Sequence, residues 1–358
     1  MDEAQKNYLN ALNIILGSSP ERLIKVLSRF SDPQDAFNIS RIDLEKLNFQ
    51  KETIESFLRE RKKINIKQEW QKLKEENVIL ISKEDNDYPE LLKEIIKPPA
   101  LLYIKGVLLQ KERYFACVGT RWPSDYGRMV APNLIGDLTE ADFTIVSGMA
   151  RGIDNLAHKA ALSRGERTVA VIGTGLDIVF PPENKKLAKE IERRGAIISE
   201  FPLGTPPLKY NFPLRNRIIA GMTLGTLVLE GSEKSGALIT ANSALAEGRE
   251  VFAVPGPIYS KTSKAPNNLI KQGAHPVTKV SDILSVFDLK EGFKKEKEIK
   301  GETTEENLII ETLKREPAQI EQIIKVTKLD VSKVSSTLIL MEIKGKVSRT
   351  GNKYFINR

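Results

Sequence analysis

Residues 143–163 read FTIVSGMARGIDNLAHKAALS and combine three local patterns. The apolar, β-branched run 143–147 predicts a buried strand, the two glycines in 148–152 predict a tight turn, and the amphipathic run 152–163 predicts a helix. The same order recurs through residues 69–288. Strands are predicted at 78–82, 101–104, 114–118, 143–147, 168–172, 196–199, 225–230 and 250–254, and helices at 126–140, 152–163, 183–194 and 238–247. Continuous apolar strands separated by crossover helices predict an α/β, Rossmann-like domain with a parallel sheet covered on both faces.

Two other patterns flank this central domain. Residues 1–68 show only helical periodicity and predict a small helical module of the SAM-like or helix-hairpin-helix kind. Residues 289–303 are dense in charge and poor in apolar side chains, which indicates a solvated linker. Residues 304–358 predict three helices and then a hairpin that turns near Gly351 and Asn352. That order is typical of a winged-helix domain, which binds either duplex DNA or a protein partner.

The composition narrows the classes of function. A net charge of +8 and an isoelectric point of about 9.2 favour a polyanionic partner. The only cysteine, Cys117, lies in an apolar run and is expected to be a buried residue rather than a nucleophile. One cysteine and two histidines are too few soft ligands for zinc, so we expect no metal site and no cofactor, with a carboxylate-bound magnesium left open. Neither a secretory signal nor an apolar run of ~18 residues occurs, so we expect a cytoplasmic protein without a membrane span.

Glycine-rich turns follow five of the predicted strands. The carboxyl ends of parallel strands lie on one edge of a sheet, so these turns are expected to form one rim. They begin at Gly119, Gly148, Gly173, Gly231 and Pro255. Glycine lets a ligand approach the backbone, and free amides at helix N-termini favour anions, so the set predicts a phosphate-binding rim. For any single turn, the alternative is that the glycine only permits a tight connection.

Basic and aromatic residues near this rim indicate which phosphate ligand it takes. They are Arg121, Lys209, Phe212, Arg215 and Arg217, the last two expected to open the helix before strand 225–230. Gly173 and Gly175 lack the third glycine of a dinucleotide fingerprint, and no nucleoside triphosphatase Gly-Lys-Ser/Thr motif occurs. A cation beside an aromatic ring is typical of single-stranded DNA binding, whereas core packing is the alternative for Phe212.

These ordered motifs resemble the DNA-processing protein A family, also called DprA or Smf, over essentially the whole chain. The matching strings are VGTR (118–121), SGMARGIDNLAH (147–158), GTGLD (173–177), PPEN (181–184), SEFPLG (199–204), FPLRNRII (212–219), SGALITA (235–241), GREVFAVPG (248–256) and NNLI (267–270). The chain departs from the family at Ala265 and Pro266, where Gly-Ser/Thr is usual, so the loop there is expected to differ in shape.

The resemblance implies a SAM-like, Rossmann-like and winged-helix order. It also implies single-stranded DNA binding, loading of a RecA-type recombinase in natural transformation, and a homodimer formed through the Rossmann-like domain. By position, it implies that Arg121, Lys209 and Phe212 contact DNA. The same matching places Gly119, Gly148 and Gly173 in the pocket, with Arg215 and Arg217 at its border.

Three function classes remain open from the residues. The leading one is a binding and mediator protein that is not an enzyme. The second is an enzyme of nucleotide metabolism of the phosphoribohydrolase-like class, in which Glu230 attacks or orients water at a ribose carbon. In the alternative interpretation of these residues, Glu230 accepts hydrogen bonds from turn amides, and His158 packs or caps rather than catalyses. The third class is a nucleotide sensor whose winged helix binds the partner.

Overall fold

The computed structural model describes residues 1–17, 19–289, 301–315, 318–350 and 353–356. Most of the predicted linker 289–303 therefore lies outside the described residues. The same is true of the predicted hairpin turn at Gly351 and Asn352. No helix in the described part of the chain combines the length and apolar character that crossing a membrane requires.

Six helices and no strand make up the described N-terminal residues up to Asn77. They are α1 (Glu3–Ile15), α2 (Pro20–Leu27), α3 (Pro33–Phe37), α4 (Arg41–Lys46), α5 (Lys51–Lys63) and α6 (Ile66–Glu75). A capping box between Asp2 and Gln5 starts α1, because each side chain accepts a hydrogen bond from the other residue's amide. The helices continue beyond the predicted boundary at residue 68.

Nine strands form one sheet. They are β1 (Ile79–Ser82), β2 (Leu101–Gly106), β3 (Arg113–Val118), β4 (Phe143–Ser147), β5 (Thr168–Ile172), β6 (Ala196–Ser199), β7 (Gly225–Val228), β8 (Glu250–Ala253) and β9 (His275–Pro276). Their order is β1-β2-β6-β5-β4-β3-β7-β8-β9, and the pairs from β6 to β9 are all parallel. The Rossmann-like parallel core is thus confirmed.

The edge of the sheet differs from the expectation of a wholly parallel sheet. β2 pairs antiparallel with both β1 and β6. The segment between β1 and β2 holds only the one-turn helix α7 (Glu90–Lys93), which is too short to serve as a crossover helix. The two-residue strand β9 was not predicted from the sequence.

Helices cover both faces of the sheet. They are α8 (Asp125–Glu140), α9 (Ile153–Ser163), α10 (Lys185–Arg194), α11 (Asn211–Gly221), α12 (Gly236–Ala246), α13 (Lys264–Lys271) and α14 (Val280–Leu284), with single 3-10 turns at Pro182–Asn184, Lys261–Ser263 and Ser285–Phe287. Side chains alternate along each strand, so Phe115 and Cys117 pack beneath α8 and α9, whereas Ala116 packs beneath α11 and α12. The departure at Ala265 and Pro266 falls in the first turn of α13, where a proline is tolerated.

The N-terminal helices complete one face of this sheet. Leu9, Leu12 and Phe57 share a core with Tyr103 of β2 and Ile197 of β6. A buried polar network crosses the same boundary. The Tyr103 hydroxyl donates to Asn10 over 2.7 Å, and Asn13 donates to Tyr103 over 3.1 Å and to the Glu200 carbonyl over 3.0 Å. The helices are therefore packed as part of the α/β core.

The C-terminal residues form a winged helix with its own core. Its elements are α15 (Thr304–Arg315), β10 (Ala318–Gln319), α16 (Ile320–Thr327), α17 (Val331–Ile343), β11 (Val347–Thr350) and β12 (Lys353–Ile356). The strands pair antiparallel in the order β10-β12-β11. Ile309, Val334 and Met341 lie at the centre of a cluster drawn only from these elements. The predicted winged-helix order is confirmed.

Candidate nucleic-acid interface

The glycine-rich turns lie along one edge of the sheet. β5, β4, β3, β7 and β8 are consecutive parallel neighbours, so the turns that follow them share the carboxyl edge. We call this edge the rim and define it as residues 119–124, 148–152, 173–177, 231–235 and 255–263. The predicted gathering of these turns is confirmed.

Two of the rim turns meet where glycine is needed for close approach. Gly152 has φ +78°, and a Cβ there would lie 2.2 Å from the Thr120 carbonyl oxygen and 2.6 Å from the Arg121 carbonyl carbon. A Cβ on Gly119 would lie 2.5 Å from Ile153. The turn that carries Arg121 therefore rests directly on the first turn of α9.

Several rim amides are already satisfied within the protein. The Asp154 carboxylate accepts from the amides of Gly148 and Ala150 over 3.1 and 3.4 Å. The Thr120 amide donates to the Glu230 carbonyl over 2.7 Å, and the Gly231 amide donates to Thr262 over 2.6 Å. The expectation that turn amides meet a phosphate is wrong for these four, because each already has an acceptor. Side chains, rather than these four amides, would therefore neutralise the charge of a bound ligand at these turns.

Arg121 and Lys209 are the free cations of the predicted set. Both side chains are exposed. Neither has a hydrogen bond or an acidic partner among the residues that the structure describes. Arg121 lies near enough to the buried Arg215 for its charge to lower the pKa of that guanidinium. An anionic ligand beside Arg121 and Lys209 would neutralise positive charge that no acidic group among the described residues balances.

The aromatic ring of Phe212 lies beside the turn that follows β5. Its side chain is half-buried, and a Cβ on Gly173 would lie 3.2 Å from its ring. The Asn211 side chain donates to the Gly173 carbonyl over 3.0 Å, which fixes the start of α11 against this turn. The Phe180 ring lies 5.8 Å from Phe212, centroid to centroid, and is 40% exposed. Phe212 is thus only partly used for packing, and glycine at position 173 lets its ring lie close to the turn.

Arg215 lies beneath the rim rather than at its border. Helix α11 begins at Asn211, so Arg215 is in its second turn and not at its start as predicted. The side chain is only 4% exposed and donates to the carbonyls of Gly148 and Val171. Burial lowers the pKa of its guanidinium to about 10, although the negative charge of Asp154 opposes that shift. Arg215 therefore stays charged at neutral pH and braces the Gly148 turn from below.

Arg217 is also committed within the protein. Its guanidinium donates to both carboxylate oxygens of Glu200, over 2.6 and 2.5 Å, and to the Lys97 carbonyl over 2.6 Å. Burial raises the pKa of the Glu200 carboxyl, and the charge of Arg217 acts in the opposite direction. The Nη2 atom faces both carboxylate oxygens, so the charge of Arg217 is paired with that of Glu200 and little is left free for a ligand.

The remaining candidate groups are buried, and Glu230 and His158 have structural partners. Glu230 is 2% exposed, and its carboxylate accepts from the Ser124 amide over 2.9 Å, the Ser124 hydroxyl over 2.5 Å and the Thr262 hydroxyl over 2.8 Å. His158 is buried, its Nδ1 lies 2.8 Å from the Thr168 hydroxyl, and burial lowers its pKa to about 3. Cys117 is buried, which raises the pKa of its thiol. No cluster of three or more metal-ligating side chains occurs among the described residues.

The sequence reasoning missed three exposed rings near the rim. Trp122 is 73% exposed and Tyr259 94%, each at the tip of a rim turn, and Tyr210 adjoins Lys209. The available signal was an aromatic residue inside a turn otherwise made of small and polar residues, as in Thr120-Arg121-Trp122. It also missed Asp154, whose position in the first turn of α9 allows it to hold the Gly148 turn.

Comparisons with known proteins agree with this architecture. The family model described as DNA recombination-mediator protein A matches residues 79–288, and the one described as DprA winged helix domain matches residues 294–353. Protein Smf of Synechocystis is 33% identical, with 98% of each chain covered.

Two solved structures are also similar. DNA processing protein A (DprA) from Streptococcus pneumoniae gives a TM-score of 0.69 at 37% identity, covering 78% of this chain and 97% of that one. The structure that describes the single-stranded DNA binding mode of Helicobacter pylori DNA processing protein A gives a TM-score of 0.54 at 27% identity. It covers 60% of this chain and 97% of its own. Sequence, architecture and relatives agree, and the chain belongs to the DNA recombination-mediator protein A (DprA) family.

Proposed function

We propose that the rim binds the sugar-phosphate backbone and bases of single-stranded DNA. The observation that carries this proposal is the pairing of two free cations, Arg121 and Lys209, with the half-exposed ring of Phe212. Cations that track phosphates beside rings that stack on bases are the recurring solution for single-stranded nucleic acids. The Helicobacter pylori relative, described by its single-stranded DNA binding mode, supports the same ligand class here.

The eight predicted site residues take two different roles in this proposal. Arg121, Lys209 and Phe212 contact the DNA strand, and Gly173 lets the Phe212 ring lie close to the turn after β5. Gly119, Gly148, Arg215 and Arg217 support those contacts from within the protein. Arg215 braces the Gly148 turn, and Arg217 anchors α11 to Glu200.

At the level of the cell, we propose that the chain protects incoming single strands and loads a RecA-type recombinase onto them, as in natural transformation. We further propose that it works as a homodimer formed through the Rossmann-like domain. Membership of a recombination-mediator family supports the first statement, and the second rests on the family resemblance of the sequence motifs. Neither needs a chemical step by the protein.

Nucleotide chemistry has less support than binding. An attacking or water-orienting Glu230 needs a free oxygen and an approach from solvent, but its carboxylate is buried and holds Ser124 and Thr262. Incubation with nucleoside monophosphates should therefore release no free base. Calorimetry should detect binding of oligonucleotides and not of mononucleotides, which is the reverse of what a nucleotide sensor would show.

The salt dependence of binding tests the proposal directly. Each phosphate neutralised on a single strand contributes about −0.7 to the slope of log K against log salt. The double variant Arg121→Ala with Lys209→Ala should bind oligo-dT more weakly, with a slope shallower by about 1.4. Fluorescence anisotropy at four or five salt concentrations measures both quantities.

A matched control keeps the same change in net charge. Arg193 and Lys111 are exposed, have no partner among the described residues, and lie just before β6 and β3, at the opposite edge of the sheet. The variant Arg193→Ala with Lys111→Ala should keep the slope of the unaltered protein. Equal losses in the two double variants would show a general charge effect and would contradict a specific rim site.

A further inference from the structure

Two exposed aromatic side chains lie on the part of the rim beyond the Gly173 turn and Phe212. Trp122 lies in the turn after β3 and Tyr259 in the turn after β8. With 73% and 94% of their surfaces exposed, neither ring contributes much to the core. Each ring therefore keeps an aromatic face in solvent, which a stacking contact with a base requires.

The Glu230 carboxylate joins the two turns that carry these rings. It accepts from the amide and hydroxyl of Ser124, two residues after Trp122, and from the hydroxyl of Thr262, three residues after Tyr259. Gly127 faces the same carboxylate, and a Cβ there would lie 2.1 Å from it. A second link runs from the Tyr126 hydroxyl to the Pro255 carbonyl, 2.9 Å. The bases of the two turns are thus held at fixed positions relative to each other.

The strand order of the sheet places the turns that carry Trp122 and Tyr259 and the Gly173 turn in one row along the rim. β7 separates β3 from β8, so the turns bearing Trp122 and Tyr259 start about 10 Å apart, given a strand spacing of about 4.8 Å. β4 likewise separates β3 from β5, so the Gly173 turn beside Phe212 starts about 10 Å away on the other side. Arg121 adjoins Trp122 in the middle of this row.

The charge along this extension suits a polyanion. The turns along this extension, residues 119–128, 231–235 and 255–263, carry four exposed cations and two exposed acids, a net charge of +2. They are Arg121, Arg128, Lys234 and Lys261, with Asp125 and Glu233. None of the four cations has an ion-pair partner among the described residues, whereas Glu233 lies 3.2 Å from Lys264. A phosphate backbone following the turns would therefore meet attraction at both ends of the extension.

We propose that a single strand bound at Arg121, Lys209 and Phe212 continues along the rim across β7 and β8. There, Trp122 and Tyr259 stack on further bases, and Lys261 meets a phosphate. This inference rests on the proposed function and adds a second stacking region to it. Base stacking suits these rings because it needs one open aromatic face and no fixed hydrogen-bond pattern.

The chain contains two tryptophans, which provides a direct reporter. Trp70 lies in α6, where its indole N–H donates to Glu3 over 2.8 Å, so Trp70→Phe leaves Trp122 as the sole tryptophan. Titration of the Trp70→Phe protein with unlabelled dT15 should quench tryptophan emission. The matched Trp122→Phe protein, which keeps Trp70, should show no quenching.

Binding itself is followed separately by the anisotropy of a labelled dT15. Trp122→Ala and Tyr259→Ala should each lower affinity roughly 5- to 150-fold, the range for loss of one stacked base, and Phe212→Ala should do the same. Thermal melting checks that each variant is folded.

The two assays separate the two ideas. If dT15 binds and Phe212→Ala weakens it, while Trp122 emission stays constant and Trp122→Ala and Tyr259→Ala keep full affinity, the extension is wrong and the proposed function stands. If dT15 does not bind at all, the proposed function itself is wrong.

Discussion

Arg215 and Arg217 are two residues apart in α11, so their side chains leave the helix about 200° apart around its axis. Arg215 donates to the carbonyls of Gly148 and Val171, whereas Arg217 donates to the carboxylate of Glu200. The sequence predicted cations near the rim but not their environments, because these partners come from other strands of the sheet. Arg121 and Lys209 are different, since a turn and a loop leave them in solvent. Residue type in a loop was therefore a better guide to a ligand contact than residue type in a helix.

Among single residues, Asp85 gives the clearest prediction of how the free energy of unfolding depends on pH. Burial alone would raise its pKa, but hydrogen bonds from Lys6, the Ser82 amide and the Met1 amino group lower it from 3.8 to about 2. The ionised form of the Asp85 carboxyl is thus more stable in the folded protein than in the unfolded chain. The resulting stability is fully present above pH 4 and is lost as the pH falls towards 2.

Asp85→Asn should therefore lower the free energy of unfolding by about 1 to 2 kcal/mol at pH 7, solvent screening included. Urea titrations at pH 7, 4 and 2.5 should show the gap to the unaltered protein closing as the pH falls. The exposed Asp35 has no ion-pair partner among the described residues, so Asp35→Asn is a control that should change little. A gap that stayed constant with pH would rule out the ion pair as its cause.

At the scale of elements, the strands were the most predictable part. The eight predicted strands all occur, with ends shifted by two residues at most, because each is a short apolar run bounded by turn residues. The antiparallel pairing of β1 and β2 was not predictable, since both strands are as apolar as their parallel neighbours. β9 was missed because two residues carry no periodic pattern. The start of α11 was placed late because Phe212 and Pro213 do not look helical on their own.

Two glycines with positive φ angles test how the rim turns are held. Gly152 has φ +78°, and a Cβ added there would have backbone atoms of the Arg121 turn within 2.7 Å. Gly165 has φ +80°, and a Cβ added there would have nothing within 4 Å. Alanine meets backbone strain at either position because φ is positive, about 1 to 2 kcal/mol in the left-handed helical region. Gly152 has ψ −127°, outside that region, so the backbone strain adds to the cost of Gly152→Ala. Only Gly152→Ala must also push the Arg121 turn away from α9.

We therefore expect Gly152→Ala to cost at least about 2 kcal/mol more than Gly165→Ala, the range for a side chain forced into a packed site. Chemical denaturation measures the difference. Oligo-dT affinity should fall for Gly152→Ala and hold for Gly165→Ala, since only the first displaces Arg121. Similar stability and affinity in both variants would mean that the turn can move without loss.

At the scale of the whole molecule, the winged helix has a core of its own, although its strand β11 lies against α8. Its core shares no residue with the clusters of the sheet. The solvent face of α17 presents Ile339, Leu340 and Ile343 beside a single cation, Lys333, which lies 3.7 Å from Glu305. Helices that read duplex DNA normally place several basic or amide side chains on that face. These features favour the protein-partner alternative for this domain.

A chain that ends at residue 289 should consequently keep its affinity for single-stranded DNA within about twofold, because the rim remains whole. Its affinity for a duplex of the same sequence should also be unchanged. Gel shifts of the full and shortened chains with both DNA forms check this. A duplex shift seen only with the full chain would assign duplex binding to the winged helix.

The shared core of the N-terminal helices and the sheet has a consequence for synthesis on the ribosome. The helices end at Glu75, but Ile197 of β6, one of the residues that covers them, is made 122 residues later (197 − 75). At 5 to 20 residues per second, the nascent helices wait roughly 6 to 24 seconds with bare apolar faces. During that interval the apolar side chains that the finished sheet covers, such as Leu9 and Leu12, still lack that cover.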